Sequence, residues 1–247
     1  MFFRDRADAG RQLAARLAAL DRANLVVLGL PRGGVVVASE VAAALAAPLD
    51  VIIVRKLGVP QQPELAMGAI GEGGVRVIDA RLITAAGVSA GAIRRVEEME
   101  RAELERRART FRAGRPPLSL QGATALIVDD GIATGSTAQA AAEVVRHQGA
   151  EQVIVAAPVG SPEAVRRLST TVDQVIVLTA PAQFFAIGEF YADFSPTQES
   201  EVVALLDRAR RGIPGETDDL SDQSDKGATR EEHIRSKSEA AGGESPL

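Results

Sequence analysis

The stretch from Ala125 to Thr137 constrains this chain more than any other, because an apolar run leads through two adjacent carboxylates into a loop of small residues. The branched apolar residues before Asp129 and Asp130 predict a buried parallel strand, and the alanine-rich pattern after the loop predicts a helix. A loop that opens a helix offers unpaired backbone N–H groups and a positive dipole end to an anion, and Gly135 lets the backbone approach it closely. Hydroxyl donors are supplied by Thr134, Ser136 and Thr137. Because carboxylates suit the neighbouring hydroxyls of a sugar, the stretch predicts a pocket for a phosphorylated sugar.

Composition limits the remaining classes of protein. The 247 residues are 46% hydrophobic, enough for one large domain or two small ones. Cysteine is absent, which excludes disulfides, cysteine metal sites and a cysteine nucleophile. The first residues become charged at once, and no apolar run approaches the length of a membrane span. We therefore expect no signal peptide and a cytoplasmic protein.

Charge is distributed unevenly along the chain. Residues 212–247 hold nine acidic and four basic residues, whereas residues 1–211 hold 24 of each. The balanced body argues against a nucleic-acid footprint and against a membrane-binding face. The last 36 residues are rich in Ser, Asp, Glu and Gly, with too few large apolar residues to offset the entropy of ordering. We predict one domain over residues 1–211 and a disordered acidic tail over 212–247.

Apolar runs alternate with helical patterns along residues 5–211. The predicted strands are 25–30, 50–54, 125–128, 152–157 and 172–178. The predicted helices are 5–20, 35–46, 136–147, 162–168 and 197–211. A strand, a loop, a helix and a second strand in this order imply a parallel pair with a right-handed crossover. The pattern therefore predicts an α/β fold.

Three segments interrupt this alternation. Residues 57–63 contain two prolines and no periodicity, which predicts a loop. Residues 65–79 predict a β-hairpin centred on Gly71–Gly74. A helical insertion over about 81–115 contains a long helix at 89–113. Its charged pairs four residues apart are Glu97/Arg101, Glu103/Arg107 and Glu105/Arg109. This helix is typical of a solvated face or of a self-association arm that would make a homodimer, and nucleic-acid binding is the less favoured interpretation.

A second loop follows a predicted strand at Gly29–Gly34. Its glycines expose backbone N–H groups, and the guanidinium of Arg32 is a fork suited to phosphate oxygens. Ligands of open α/β sheets bind at the carboxyl ends of the strands, where this loop and the one after Asp130 would meet. The two loops together predict one site for a diphosphate and one for a monophosphate, with the carboxylates between them for a ribose.

This pairing resembles the type I phosphoribosyltransferases. Residues 128–137 match the family's fingerprint of an apolar strand, two acidic residues and a Thr-Gly-x-Thr loop without a gap. Arg32–Gly34 is similar to the diphosphate loop of the bacterial xanthine-guanine enzymes, and Phe185–Gly188 with Tyr191 and Asp193 is similar to the base-binding hood of the 6-oxopurine members. The resemblance covers roughly residues 24–195. It implies the family fold, a mostly parallel sheet flanked by helices with a small hood and a protruding helix.

The resemblance also implies a reaction, the transfer of 5-phosphoribose from phosphoribosyl diphosphate to a nitrogenous base with release of diphosphate, as in nucleotide salvage. Asp129 and Asp130 would hold the ribose hydroxyls, with Mg²⁺ held by the substrate nearby rather than directly by the protein. Arg32 would bind diphosphate beside a cis peptide at Pro31–Arg32, and Lys56 would approach the leaving group. The remaining substrate-binding candidates are Gly33, Gly34, Gly131, Ala133, Thr134, Gly135, Ser136, Thr137, Phe185 and Asp193.

Departures from the family leave the accepting base open, although a purine-like base is favoured. Ala133 stands where 6-oxopurine enzymes carry an aspartate, and residues 172–183 contain no lysine or arginine to read a 6-oxo group. Two other functions are consistent with the same donor site, a regulatory protein that binds phosphoribosyl diphosphate without transferring it and an enzyme that hydrolyses it. The structural alternatives are that Arg32 and Lys56 are solvated cations, that Phe185 is a core residue and that Asp193 is a turn residue.

Overall fold

The structure is a computed structural model that describes residues 2–211. Its strands are β1 (Leu25–Gly29), β2 (Leu49–Val51), β3 (Val54–Val59), β4 (Gln62–Gly71), β5 (Arg76–Ile78), β6 (Thr124–Val128), β7 (Gln152–Val159) and β8 (Gln174–Thr179). Its α-helices are α1 (Arg6–Leu17), α2 (Gly33–Leu45), α3 (Ala80–Ala85), α4 (Ala90–Arg112), α5 (Ser136–His147), α6 (Pro162–Leu168) and α7 (Glu199–Arg211). The expected acidic tail at 212–247 lies outside the described residues.

The central sheet has five parallel strands in the order β2-β1-β6-β7-β8. Successive residues of a strand face opposite sides of a sheet, so Leu25 and Val27 of β1 pack with α1 and α2, while Val26 and Leu28 pack with α5 and α6. Two apolar cores thus cover the two faces of the sheet, which explains why the strands read as continuous apolar runs. The predicted α/β fold is confirmed.

A second, antiparallel sheet is formed by β3, β4 and β5. The hairpin predicted at 65–79 is confirmed, with a 3₁₀ turn at Glu72–Gly74 joining β4 to β5. The loop predicted at 57–63 is wrong, because these residues form the β3–β4 hairpin. Its prolines are tolerated because Pro60 lies in the turn and Pro63 lies near the start of β4, beside the irregular pairing at Gly58.

Helix α4 carries the ion pairs predicted from its spacing. Glu103 and Arg107 are 2.7 Å apart, and Glu97 and Arg101 are 2.9 Å apart. The helix is not only a solvated face, because Leu104 is buried near its middle and Phe111 near its end. The helix therefore belongs to the domain core over its second half.

A buried charged cluster ties the end of α4 to both sheets. The guanidinium of Arg112 donates to both carboxylate oxygens of Asp50 at 2.8 Å, to Glu72 at 2.5 and 2.7 Å, and to the carbonyl oxygen of Val51 at 2.8 Å. All three charged residues are buried. Asp50 also accepts the backbone N–H of Leu118 at 2.9 Å. The cluster joins β2, the β4–β5 turn and α4 through groups that each have a partner.

The N-terminal segment pairs with residues 184–194, which we call the hood. Phe3 forms a parallel bridge with Tyr191, and their ring centroids are 5.3 Å apart. The Phe3 N–H donates to Phe190 O, and the Ala192 N–H donates to Phe3 O, both at 2.8 Å. Because Phe3 is completely buried, this contact attaches the hood firmly to the residues that precede α1.

Within residues 2–211, none of the helices combines the length and the apolar character that crossing a membrane requires.

Candidate active site

The two loops that the sequence places in one site lie side by side at the carboxyl ends of β1 and β6. These strands are neighbours, with Gly29 paired to Val128 at their last positions. Each loop leads into the N-terminus of a helix, α2 after Arg32 and α5 after Gly135. The first turns of both helices therefore present unpaired N–H groups and positive dipole ends to the same region, an arrangement suited to two anionic groups.

The loop after β6 is built around a small cavity of about 170 Å³. The cavity is lined by Asp129, Asp130, Gly131, Ile132, Ala133, Thr134, Gly135, Thr137, Ala138 and Ile187. Gly135 caps α5 with φ of 74°, a left-handed conformation that favours glycine. The Ser161 hydroxyl donates to Ala133 O at 2.7 Å, and the hydroxyl oxygens of Thr134 and Ser136 are 3.0 Å apart. Ser161 thus holds the loop from outside. Thr134 and Thr137 line this cavity, whereas Ser136 lines a different one.

The two carboxylates at the start of this loop differ in environment. Asp129 is half-buried and accepts the N–H of Asp130 at 2.9 Å. Burial and the neighbouring charge of Asp130 raise the pKa of Asp129 well above its ordinary value. Asp130 is instead paired with a cation, because the guanidinium of Arg6 lies 2.7 Å from its Oδ2. A raised pKa next to a paired carboxylate in a cavity is typical of a functional site.

Arg6 is the site residue that sequence reasoning missed. It lies on the helix predicted at 5–20, which gave no sign of function, and its partner Asp130 is 124 residues away. The same guanidinium donates to Ser195 O at 2.8 Å and lies 3.9 Å from the centre of the Phe194 ring. No local pattern marks such a contact, so only the fold reveals it.

The diphosphate-loop candidate contains the cis peptide expected at Pro31–Arg32. Arg32 is exposed, and Gly33 and Gly34 begin α2. A Cβ at Gly33 would lie 2.0 Å from Asp130 Oδ2 and 2.6 Å from Arg6 Nε. The loop therefore passes directly against the Arg6–Asp130 pair, and only glycine leaves room for it. The backbone that follows Arg32 lies beside the acidic pair, while the Arg32 side chain lines neither the cavity after β6 nor the one beside β3.

Lys56 lies on β3 and lines a second, larger cavity of about 840 Å³. This cavity is bounded by the β3–β4 hairpin and α4, and it reaches Pro31 and Thr137 of the two anion loops. Arg55 on β3 and Glu100 on α4 form an ion pair of 2.6 Å at its wall. Lys56 thus lines a space that adjoins both loops.

The hood contacts the site through Ile187 and Tyr191 rather than through Phe185 and Asp193, the two hood residues selected as substrate-binding from the sequence. Ile187 lines the phosphate cavity, and a Cβ at Gly131 would lie 2.4 Å from its Cγ2. The Tyr191 hydroxyl donates to Asp130 O at 2.6 Å, and burial, with the charge of Asp130, raises the pKa of Tyr191. The hood therefore packs directly on the loop that carries the acidic pair.

Phe185 and Asp193 lie outside the phosphate cavity. The Phe185 side chain is 80% exposed. Asp193 turns back to accept the N–H of Ser195 at 2.9 Å, and hydrogen bonds from Ser195 lower the pKa of Asp193. Phe184 stacks on Phe190 with centroids 5.8 Å apart. Phe185 thus presents an open aromatic face to solvent, whereas Asp193 stabilises the turn at the end of the hood.

Known proteins resemble this chain over most of the described residues. A family model described as phosphoribosyl transferase domain matches residues 4–193. Two curated proteins from strains CDC 1551 and H37Rv of Mycobacterium tuberculosis, whose names give phosphoribosyl transferase as a provisional assignment, are each 56% identical over 209 residues. These alignments cover 85% of this chain and 47% of each relative, so the chain spans about half the length of the curated relatives it matches.

A solved structure resembles this chain over nearly all of the solved protein's length. The crystal structure of the protein TT1426 from Thermus thermophilus is 45% identical, with a TM-score of 0.79 over 83% of this chain and 98% of that one. The resemblance inferred from the two loops is thus confirmed. The chain belongs to the phosphoribosyl transferase domain family.

Proposed function

We propose that this chain transfers 5-phosphoribose from phosphoribosyl diphosphate to a nitrogenous base and releases diphosphate. The observation that carries the proposal is the meeting of two helix-opening loops and an acidic pair at the ends of the neighbouring strands β1 and β6. A sugar with an anion at each end and hydroxyls between them matches this order of groups. The family membership supports the same reaction class.

Each part of the donor has complementary groups. The cavity at 129–138 offers backbone N–H groups and hydroxyls to the 5-phosphate. Asp129 and Asp130 line this cavity, where Asp129 Oδ1 accepts the N–H of Asp130 and Asp130 Oδ2 accepts Nε–H of Arg6. Their carboxylates are the acceptors offered to the ribose hydroxyls. Arg32, exposed at the start of α2, supplies charge to the diphosphate.

The donor set is compatible with Mg²⁺ carried by the substrate. The accessible groups beside the phosphate cavity are carboxylate oxygens, the ligands this hard cation prefers. Asp129 and Asp130 would lie near the bound ion, and oxygens of the substrate itself would hold it. When bound, Mg²⁺ would neutralise charge on the leaving diphosphate.

The protein's role in the reaction is alignment and charge stabilisation. The bond between C1 and the diphosphate oxygen breaks, and its electron pair leaves with the diphosphate. A ring nitrogen of the base forms the new bond to C1, and the proton of that nitrogen passes to solvent. Charge that develops on the sugar lies near Asp129 and Asp130, while Arg32 and Lys56 stand on the leaving-group side. No protein nucleophile is needed, so holding the two reactants in line supplies the catalysis.

For the acceptor we favour a purine-like base, because the exposed ring of Phe185 offers a face on which a planar base can stack. Ala133 supplies no carboxylate to act on the ring, and residues 172–183 offer no cation to a 6-oxo group. These two positions argue against selection of a 6-oxopurine. They leave the adenine type and other planar bases as the classes to test.

Calorimetry with phosphoribosyl diphosphate and Mg²⁺ tests the donor half of the proposal. We expect binding to the wild-type protein and a loss of at least about tenfold in the Asp129→Asn/Asp130→Asn variant, because each hydroxyl contact to a carboxylate is charge-assisted. Asp21→Asn, a change of the same kind at an exposed loop position, should bind like wild type. Absence of binding, or binding unchanged in the double variant, would refute the proposal.

Diphosphate release across a panel of bases separates the three reactions that one donor site permits. A transferase releases diphosphate only with its accepting base. Release without any base would identify a hydrolase. Donor binding with no release under any condition would identify a regulatory protein, the alternative that the same loops allow.

A further inference from the structure

We propose that Arg6 is a positioning residue that orients Asp130 for the sugar hydroxyls of the donor, an inference that rests on the proposed function. Arg6 Nε holds Oδ2 of Asp130 at 2.7 Å, and only 12% of the Arg6 side chain and 14% of the Asp130 side chain are exposed. A charge-assisted hydrogen bond of this length holds that oxygen in place. Oδ1 is the Asp130 oxygen that Arg6 does not bind.

Arg6 is itself held by three kinds of contact. Besides its bond to Asp130, it donates to the backbone oxygen of Ser195 at 2.8 Å, and its guanidinium lies 3.9 Å from the centre of the Phe194 ring. These contacts use different parts of the group, so its orientation is defined on two sides. A guanidinium fixed in this way transmits a fixed orientation to the carboxylate it binds.

The diphosphate loop also depends on this ion pair. Gly33 leaves no room for a side chain between its own backbone and the Arg6–Asp130 contact, since a Cβ would lie 2.0 Å from Asp130 Oδ2. The Tyr191 hydroxyl donates to the backbone oxygen of Asp130 at 2.6 Å. Asp130 is thus fixed through its side chain by Arg6 and through its backbone by the hood. Residues of α1, the diphosphate loop and the hood therefore all meet at Asp130.

Arg6 also sets the charge balance of the acidic pair. Asp129 and Asp130 are adjacent anions, and Asp129 is half-buried. Arg6 offsets the negative charge of Asp130 at close range, which favours a charged Asp130 carboxylate beside that of Asp129. Loss of the cation would leave two like charges together and free Asp130 to turn away from the cavity.

The test compares a ligand that has the sugar hydroxyls with one that lacks them. Calorimetry with ribose 5-phosphate and with inorganic phosphate is performed on wild type, Arg6→Gln, Arg6→Lys and Arg4→Gln. Arg4 is a matched control because it lies two residues away, is 75% exposed and pairs with Asp8 rather than with the acidic pair. Circular dichroism and a thermal melt establish that each variant is folded.

We expect Arg6→Gln to weaken binding of ribose 5-phosphate by about 10- to 100-fold, because a misoriented Asp130 would lose one charge-assisted hydrogen bond to the sugar. Inorganic phosphate should bind Arg6→Gln as it binds wild type, because the loop at 131–137 is untouched. Arg6→Lys should recover part of the loss, since an ammonium can hold Oδ2 but cannot make the other contacts. Arg4→Gln should match wild type for both ligands.

Three results would refute the proposed role of Arg6 and leave the proposed function standing. The first is equal binding of ribose 5-phosphate by wild type and Arg6→Gln. The second is an equal loss of affinity for both ligands, which would indicate a general structural role, and the third is tighter binding by Arg6→Gln, which would mean that Arg6 competes with the sugar for Asp130. Failure of Arg6→Lys to recover any affinity counts against it as well. If wild type binds ribose 5-phosphate no better than inorganic phosphate, the proposed function and this inference fall together.

Discussion

Replacing Arg112 with methionine should destabilise the domain more than any single change at an exposed ion pair. Arg112 donates five hydrogen bonds to Asp50, Glu72 and the Val51 carbonyl oxygen, and all three charged side chains are buried. Methionine fills similar volume but has no charge. Asp50 and Glu72 would then remain inside the protein without their main cation.

The expected cost follows from the structure of this cluster. Breaking a buried ion pair by removing one partner costs about 3–5 kcal/mol, because the partner's charge stays desolvated. Asp50 keeps the Leu118 N–H and a more distant cation, Arg210 at 3.7 Å, which places the loss within that range rather than above it. Since domains of this kind are stable by about 5–15 kcal/mol, the variant would lose a large part of its stability.

Urea unfolding followed by far-UV circular dichroism measures this loss. Arg109→Met is the matched control on the same helix, since Arg109 is 73% exposed and lies 3.9 Å from Glu105. It should change the free energy of unfolding by no more than about 0.5 kcal/mol. Arg112→Lys should fall between the two, because an ammonium cannot hold both carboxylates in the same fork geometry. If Arg112→Met costs no more than Arg109→Met, the argument from buried charge is wrong.

Three further predictions concern the site. The raised pKa of Asp129 means that its ionisation opposes folding, and this cost is absent at low pH and present above the folded-state pKa. Asp129→Asn should therefore raise the free energy of unfolding by about 0.5–2 kcal/mol at pH 7, with a gain that shrinks as pH falls; urea titrations at several pH values measure it. Gly131→Ala should displace Ile187 and lower the melting temperature by several degrees, because a Cβ would lie 2.4 Å from Cγ2 of that side chain; a thermal melt checks this. Tyr191→Phe should cost about 1 kcal/mol in urea unfolding through the lost hydrogen bond to Asp130 O, and no loss would contradict it.

The phosphate loop could be predicted from sequence because its chemistry is local. Strand, carboxylates, glycine and hydroxyls follow one another over residues 125–137, so their order along the chain is also their order in space. The diphosphate loop was predictable for the same reason. Their meeting followed from a general rule, that loops after adjacent parallel strands share one edge of the sheet.

The rest of the site depends on contacts between distant residues. Arg6 reads as one more charge on an amphipathic helix, and its function is visible only when Asp130, 124 residues later, lies against it. The cluster of Arg112 with Asp50 and Glu72 is hidden similarly, because these partners lie 62 and 40 residues before Arg112 in the chain. The β3–β4 hairpin was missed because two prolines hid a strand pair whose apolar residues pack on a neighbouring helix.

The pairing of Phe3 with Tyr191 has a consequence for the order in which the protein is made. A ribosome releases the chain from its N-terminus, and contacts between residues far apart must wait for the later one. Strand β6, its loop and α5 can assemble once residue 161 has emerged, because β7 pairs with β6 and Ser161 holds the loop. Arg6 contacts Ser195, 189 residues further on, so the contacts that fix Arg6 against Asp130 form only near the end of domain synthesis. A nascent chain is therefore expected to acquire its phosphate loop before its complete sugar site.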